Sequence, residues 1–145
     1  MVAPHHFPHH QAVYARIAAS QLTEICHGAS FTAGWWNSGP DGAPETCLMN
    51  AGEKPERRIV QEKLMLIVSE IAEAMEGHRK GLQDDKLPDR LMLEVELADA
   101  AIRIFDLAGG MGLDLGGAIA DKLAFNASRA DHRPENRKAV GGKAF

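Results

Sequence analysis

Two acidic pairs, Glu70-x-x-Glu73 and Glu96-x-x-Asp99, are the residues of this chain best spaced to do chemistry. On an α-helix, positions three apart lie on nearly the same face, so each pair aims two carboxylates in one direction. If the two helices pack antiparallel, four carboxylates converge, and their mutual repulsion calls for a cation. A hard divalent ion fits this need: Mg²⁺, or Mn²⁺ in its place, takes oxygen ligands and commonly bridges protein carboxylates to substrate phosphates. The four residues are therefore candidate metal ligands and candidate catalytic groups for a reaction on a phosphorylated substrate. The competing reading is a solvated acidic face, common at helical spacing. Against it, Glu70 falls in angle between Leu66 and Ile67, on the apolar face of its helix. An unpaired carboxylate buried there costs on the order of several kcal/mol, so something must compensate for it.

Three further groups could meet a substrate. Lys122, Asn126 and Arg129, spaced four and then three residues apart, form one polar stripe on a helix. Lys and Arg bind phosphate oxygens, Arg through a planar fork, and the Asn126 amide suits a sugar or a base. The same stripe also suits a basic helix end facing water. Arg79 and Lys80 close the first acidic helix and carry the same two readings, with the solvated one stronger there. Trp35 and Trp36 are the only tryptophans. One of them fits a core or interface role, and Trp36 is the candidate for stacking on a nucleobase.

Helices must position all of these groups. Apolar residues recur near the 3.6-residue period from Gln11 to about Phe31, at Val13, Ile17, Ala18, Leu22 and Ile25. Arg57 to about Arg79 reads as a second helix stopped by Gly81, and Leu91 to Ala108 as a third closed by Gly109-Gly110. The third has an apolar arc of Leu91, Leu93, Leu97, Ala98, Ala101, Ile104, Phe105 and Ala108. Glu96, Asp99, Arg103 and Asp106 group on its other side, and Glu94 falls within the arc without an evident reason. A fourth helix spans about Leu115 to Ala130, with Ile119, Leu123 and Ala127 on one side. No segment alternates as a strand does. The expected fold is all-α, most simply a four-helix bundle over residues 11–131. A His- and Pro-rich leader occupies residues 1–10, a Gly- and Pro-rich loop 37–55, and a polar tail 132–145.

The global numbers narrow the function classes. A chain of 145 residues suits one domain with its own core. A net charge of −4 and a pI near 5.9 argue against a general nucleic-acid binder. No apolar run approaches the roughly 20 residues that span a bilayer, and the first residues lack a secretory pattern. A cytoplasmic protein with reduced Cys26 and Cys47 is the expectation. There is no phosphate-binding P-loop, no dinucleotide fingerprint and no serine-hydrolase elbow. Neither acidic helix carries the Glu-x-x-His pair of a di-iron bundle.

The run Glu62-Lys63-Leu64-Met65-Leu66-Ile67-Val68-Ser69-Glu70-Ile71-Ala72-Glu73-Ala74-Met75-Glu76 is similar to the first signature of MazG-like nucleoside triphosphate pyrophosphohydrolases. Glu94-Val95-Glu96-Leu97-Ala98-Asp99 resembles their second, E-x-x-D. Gly34-Trp35-Trp36 resembles the Gly-Phe-Trp often found upstream, with Trp35 in place of the phenylalanine. Lys122, Asn126 and Arg129 resemble the basic motif of the last helix, and Gly141-Gly142-Lys143 a tail seen in some members. The match runs roughly from Gly34 to the C-terminus. The resemblance implies an all-α pyrophosphohydrolase bundle, assembled as a homodimer or a dimer of dimers with sites at subunit contacts. It also implies cleavage of a (deoxy)nucleoside triphosphate between its α and β phosphates, with Glu70, Glu73, Glu96 and Asp99 holding Mg²⁺. Glu73 is the carboxylate singled out to accept the proton of the attacking water. Hydrolysis of an alarmone such as (p)ppGpp on the same site, or a non-catalytic helical nucleotide-binding module, are the alternatives left open.

Overall fold

A computed structural model describes residues 9–36 and 57–129. Four α-helices follow one another: α1 (His9–Thr32), α2 (Arg57–Lys80), α3 (Met92–Gly110) and α4 (Leu115–Ser128). No strand occurs among the described residues, where β structure is limited to one bridge between Gln83 and Leu91. The all-α class is thus observed. His9 and His10 already belong to α1, while residues 1–8, the 37–55 loop and the 132–145 tail lie outside the described residues.

The chain divides into two compact units. One contains α4 and α1 up to Ser20; the other is Gln21–Leu113 and contains α2, α3 and the rest of α1. In the first, Asp114 caps α4 by accepting the backbone N–H of Gly117 at 2.8 Å, and its other oxygen accepts from Arg16 Nη2 at 3.1 Å. Gly116, Gly117 and Ala120 are buried, and a Cβ at Gly116 would lie 2.6 Å from the Arg16 carbonyl. Small residues let α4 approach α1 closely there; the exposed ion pair adds little.

In the larger unit α2 and α3 form the main packing pair. Both α1 and α2 stop on a glycine with positive φ, 82° at Gly34 and 64° at Gly81. The next N–H then reaches back five residues, Trp35 to the Ser30 carbonyl at 3.1 Å and Leu82 to that of Gly77 at 3.0 Å. This Schellman closure suits glycine because no Cβ opposes it. The end of α3 corrects the expectation that Gly109-Gly110 would stop it. The helix runs through both and closes at Gly112 in the same way, with Leu113 N–H on the Ala108 carbonyl at 2.9 Å. Gly109 and Gly110 provide space instead: a Cβ would strike His27 at the first and the Trp36 ring at the second.

The α2–α3 connection is held by Asp84, one of the buried polar residues. Its carboxylate accepts the backbone N–H groups of Lys86 (3.0 Å) and Leu87 (2.6 Å), and its own N–H bonds the Arg90 carbonyl at 3.0 Å. That tight turn sends α3 back along α2. Gly77 opens the contact at this end, since a Cβ there would meet Met92 Cγ at 2.8 Å.

On α1 and α3 the buried face is not the one the hydropathy pattern singles out, whereas α2 turns Glu70 and Ala74 inward as its pattern implies. In α3 the buried residues are Glu96, Ala100, Asp106, Leu107, Ala108 and Gly110, whereas Leu91, Leu97 and Ile104 of the expected apolar arc are exposed. In α2, Glu70 and Ala74 are buried, and Leu64, Val68, Ile71 and Met75 face outward. The inversion of α3 recurs in α1, where Ala19 and Cys26 are buried while Val13, Ile17, Leu22 and Ile25 are exposed. The seam packs inward with Glu70 against Arg103 and Asp106 against Lys63, and small residues at Ala74, Gly77 and Ala100 bring the backbones close enough for that. Glu94, the anomaly of the arc, lies on the exposed side and faces Arg90 at 3.9 Å.

Candidate metal centre

Glu70 on α2 and Glu96 and Asp99 on α3 each bring one carboxylate oxygen to a common spot, all within 4.8 Å of one another. Glu70 and Glu96 are buried, at 6% and 8% exposure, and Asp99 is the most open of the three. Two of these residues share one turn of α3, and the third is delivered from α2 by the antiparallel pairing. Burial pushes the Glu96 carboxyl up to about 7, helped by its hydrogen bond with Glu70 and by the charges of Glu73, Glu70 and Asp99. Glu73 is exposed and stands outside the trio, although its charge reaches Glu96. The compensation that a buried Glu70 requires comes from Arg103, whose Nε donates to Glu70 Oε1 at 2.6 Å.

An all-oxygen set drawn from two helices fits a hard divalent cation. Ligand oxygens about 2.1 Å from an octahedral Mg²⁺ lie ~3–4 Å apart, so small side-chain movements would close the trio around one. The raised pKa of Glu96 fits as well, since it reflects burial among carboxylates that lack a neighbouring positive charge.

A second polar centre lies further along the same seam. Asp106 is 5% exposed and accepts hydrogen bonds from Trp36 Nε1 at 2.7 Å and Lys63 Nζ at 2.9 Å, with His27 Nδ1 at 3.0 Å. Burial works to raise its pKa, but the bonds from Lys63, His27 and Trp36 outweigh it and hold the carboxyl below the usual aspartate value. The Lys63 ammonium also sits 3.8 Å from the centre of a Trp36 ring, a favourable cation–π position. Trp36, 2% exposed, is therefore core, which corrects its assignment as a base-stacking residue: its ring is covered and its N–H is committed to Asp106. Trp35 is the exposed member of the pair, at 76%.

Beside both centres lies a cavity of about 460 Å³. Trp35, Ile59, Lys63, Leu66, Asp99 and Arg103 contribute to its walls, so its lining mixes apolar and charged groups. That volume lies within the ~300–1,000 Å³ usual for small-molecule sites.

Of the remaining expected substrate contacts, two end α2 and three lie on or next to α4. Arg79 and Lys80 both pair with Glu76, Arg79 Nη2 at 2.8 Å and Lys80 at closer range, on the exposed last turn of α2. Neither residue lines the cavity. Lys122, Asn126 and Arg129 belong to the other unit. There, Lys122 Nζ and the Arg129 guanidinium lie over the Phe125 ring, at 5.1 and 5.8 Å, and the Asn126 Oδ1 is buried without a partner among the described residues.

Arg103, Asp106, Lys63 and His27 were not among the site residues expected from the sequence. A signal was present for three of them. Glu96, Asp99, Arg103 and Asp106 recur at three, four and three residues, one continuous stripe of α3, and Lys63 lies two helical turns before Glu70 on α2. Two antiparallel charged stripes of matching length are a pairing pattern. His27, in α1, offers no such periodicity. No protein-family model, curated protein or solved structure matches this chain.

Proposed function

We propose that the chain is a Mg²⁺-dependent nucleoside triphosphate pyrophosphohydrolase, cleaving a (deoxy)nucleoside triphosphate between the α and β phosphates. The observation that carries this reading is the convergence of Glu70, Glu96 and Asp99 beside a cavity that also presents Arg103. Glu70, Glu96 and Asp99 would hold the cation, with Mn²⁺ able to replace Mg²⁺. When bound, the ion polarises phosphoryl oxygens and lowers the pKa of water. The residues of the chain do the rest. Glu73, exposed and one turn from Glu70, would accept the proton of the attacking water. Transfer at phosphorus depends chiefly on positioning and charge neutralisation, for which cationic side chains beside the cavity are suited. The resemblance to MazG-like enzymes in the runs Glu62–Glu76 and Glu94–Asp99 supports the same reaction.

The reading includes self-association. Leu64, Val68, Ile71 and Met75, at spacings of four, three and four, make an exposed apolar seam on α2, and Leu97 and Ile104 extend apolar surface on α3. A seam with that period is what a helix offers to another helix. A second copy would cover it and complete an all-α bundle.

Chromatography of products from the purified protein, incubated with each deoxy- and ribonucleoside triphosphate and with ppGpp, with and without Mg²⁺, tests the proposal. Mg²⁺-dependent monophosphate and pyrophosphate are expected. Diphosphate with orthophosphate would place the cut at the other bond, and turnover of ppGpp alone would make the protein an alarmone hydrolase. Mg²⁺ binding without any product would leave a non-catalytic nucleotide-binding module.

A further inference from the structure

Arg103 already neutralises the carboxylate that a cation at the metal centre would bind. The contact uses Nε, the inner nitrogen of the guanidinium, at 2.6 Å from Oε1. Glu70 is nearly fully buried, whereas the Arg103 side chain is 41% exposed and forms part of the cavity wall. Arginine carries five N–H donors in a planar fork, and this bond engages one of them. Its terminal nitrogens lie beyond the bond to Glu70 and are suited to bidentate recognition of phosphate. Asp99, one turn earlier on α3, shares the same wall, so the guanidinium stands between a carboxylate cluster and an open cavity.

Building on the metal-centre reading, we propose that Arg103 is a positioning residue that exchanges partners. Without a cation it neutralises Glu70. When a divalent ion takes over that charge, the guanidinium turns to an anionic phosphate group of the ligand in the cavity. One side chain thereby keeps Glu70 compensated in the empty site and makes phosphate affinity depend on the metal. The exchange needs only rotation of an arginine side chain already half in solvent. It also gives a physical reason for an arginine here: a lysine could neutralise Glu70 but could not fork onto a phosphate.

The test uses the full chain, wild type and the variants Arg103→Gln and Arg103→Lys, with calorimetric titration of Mg²⁺ alone and of inorganic tripolyphosphate in excess Mg²⁺. Thermal melts with and without Mg²⁺ accompany them. Arg103→Gln removes the competing cation, so it should bind Mg²⁺ about tenfold more tightly than wild type. It should bind tripolyphosphate about 10- to 100-fold more weakly, the loss of one charge-assisted contact. Its lowered melting temperature in metal-free buffer should recover when Mg²⁺ saturates the site. Arg103→Lys, which keeps the charge and the fold, should leave Mg²⁺ affinity near wild type and still weaken tripolyphosphate binding. Equal tripolyphosphate affinity in wild type and both variants, with Mg²⁺ bound by all, would overturn the exchange and leave Arg103 a structural counter-ion. Wild type that binds no Mg²⁺ would remove the metal centre itself and the exchange with it. The expected binding shifts without turnover of any nucleotide would reject the hydrolase and keep the exchange.

Discussion

Replacing Asp106 with asparagine tests whether the second polar centre holds α1, α2 and α3 together. Asn is isosteric with Asp, so the change removes charge with little change of volume. Its carbonyl oxygen can still accept from Trp36, but its amide then faces the Lys63 ammonium, which lies 2.9 Å from Asp106 Oδ2 with its side chain only 16% exposed. Breaking a buried pair by removing one partner costs ~3–5 kcal/mol, because the surviving charge stays buried. Small proteins are stable by only ~5–15 kcal/mol, so the loss is a large fraction of the total, a fall in melting temperature of about 10 °C or more. Lys63→Met should cost less, since Asp106 keeps Trp36 and His27 as partners. The double variant should recover part of the loss, with a coupling of about 2 kcal/mol. Urea unfolding followed by circular dichroism and tryptophan fluorescence measures all four proteins. The pH dependence has a defined sign. The folded carboxyl sits below its ordinary value of 3.8, so its contribution is complete above that pH and lost as the pH falls through the folded value. The gap between wild type and Asp106→Asn should therefore close in strong acid. An Asp106→Asn variant within about 0.5 kcal/mol of wild type at pH 7, the usual range for surface changes, would refute the reasoning.

Other expectations concern the metal centre and the exposed seam. Glu70→Gln and Asp99→Asn should each abolish turnover while the far-ultraviolet dichroism stays helical, and wild-type rates in either purified variant would remove those ligands from the mechanism. Protons should compete with Mg²⁺ at Glu96, whose carboxyl titrates near 7, so apparent affinity at pH 6 should be about tenfold weaker than at pH 8 by calorimetry. A pH-independent affinity would contradict a site built on that carboxyl. Because this pKa is raised from 4.5, its contribution to the metal-free protein is present below 4.5 and lost as the pH rises through about 7. Added Mg²⁺ should then raise the melting temperature more at pH 8 than at pH 6. Ile71→Glu places a charge in the exposed seam of α2, and light scattering should report a smaller particle than wild type; an unchanged mass would mean the seam is not the subunit contact.

Helix positions and most of their ends were legible in the sequence because they depend on local chemistry. Period, helix formers and the glycine at 81 act within one turn of chain. Glu70-x-x-Glu73 and Glu96-x-x-Asp99 were legible for the same reason, since spacing along one helix decides which carboxylates share a face. What the sequence could not decide was which face of α1 and of α3 turns inward. Hydropathy alone favours burying Leu97 and Ile104, yet the seam buries Asp106 against Lys63 and Glu70 against Arg103, with Glu96 hydrogen-bonded to Glu70, and small residues admit the close approach. Tertiary packing likewise decided between the two tryptophans, sealing Trp36 against Asp106 and Gly110 and leaving Trp35 at the cavity. It gave Glu70 its counter-ion in Arg103, more than 30 residues away in the chain. Partners at that separation are invisible to any local rule. They exist only once the Asp84 turn has laid α3 back along α2, and from that moment the charges that looked superficial become the interior of the fold.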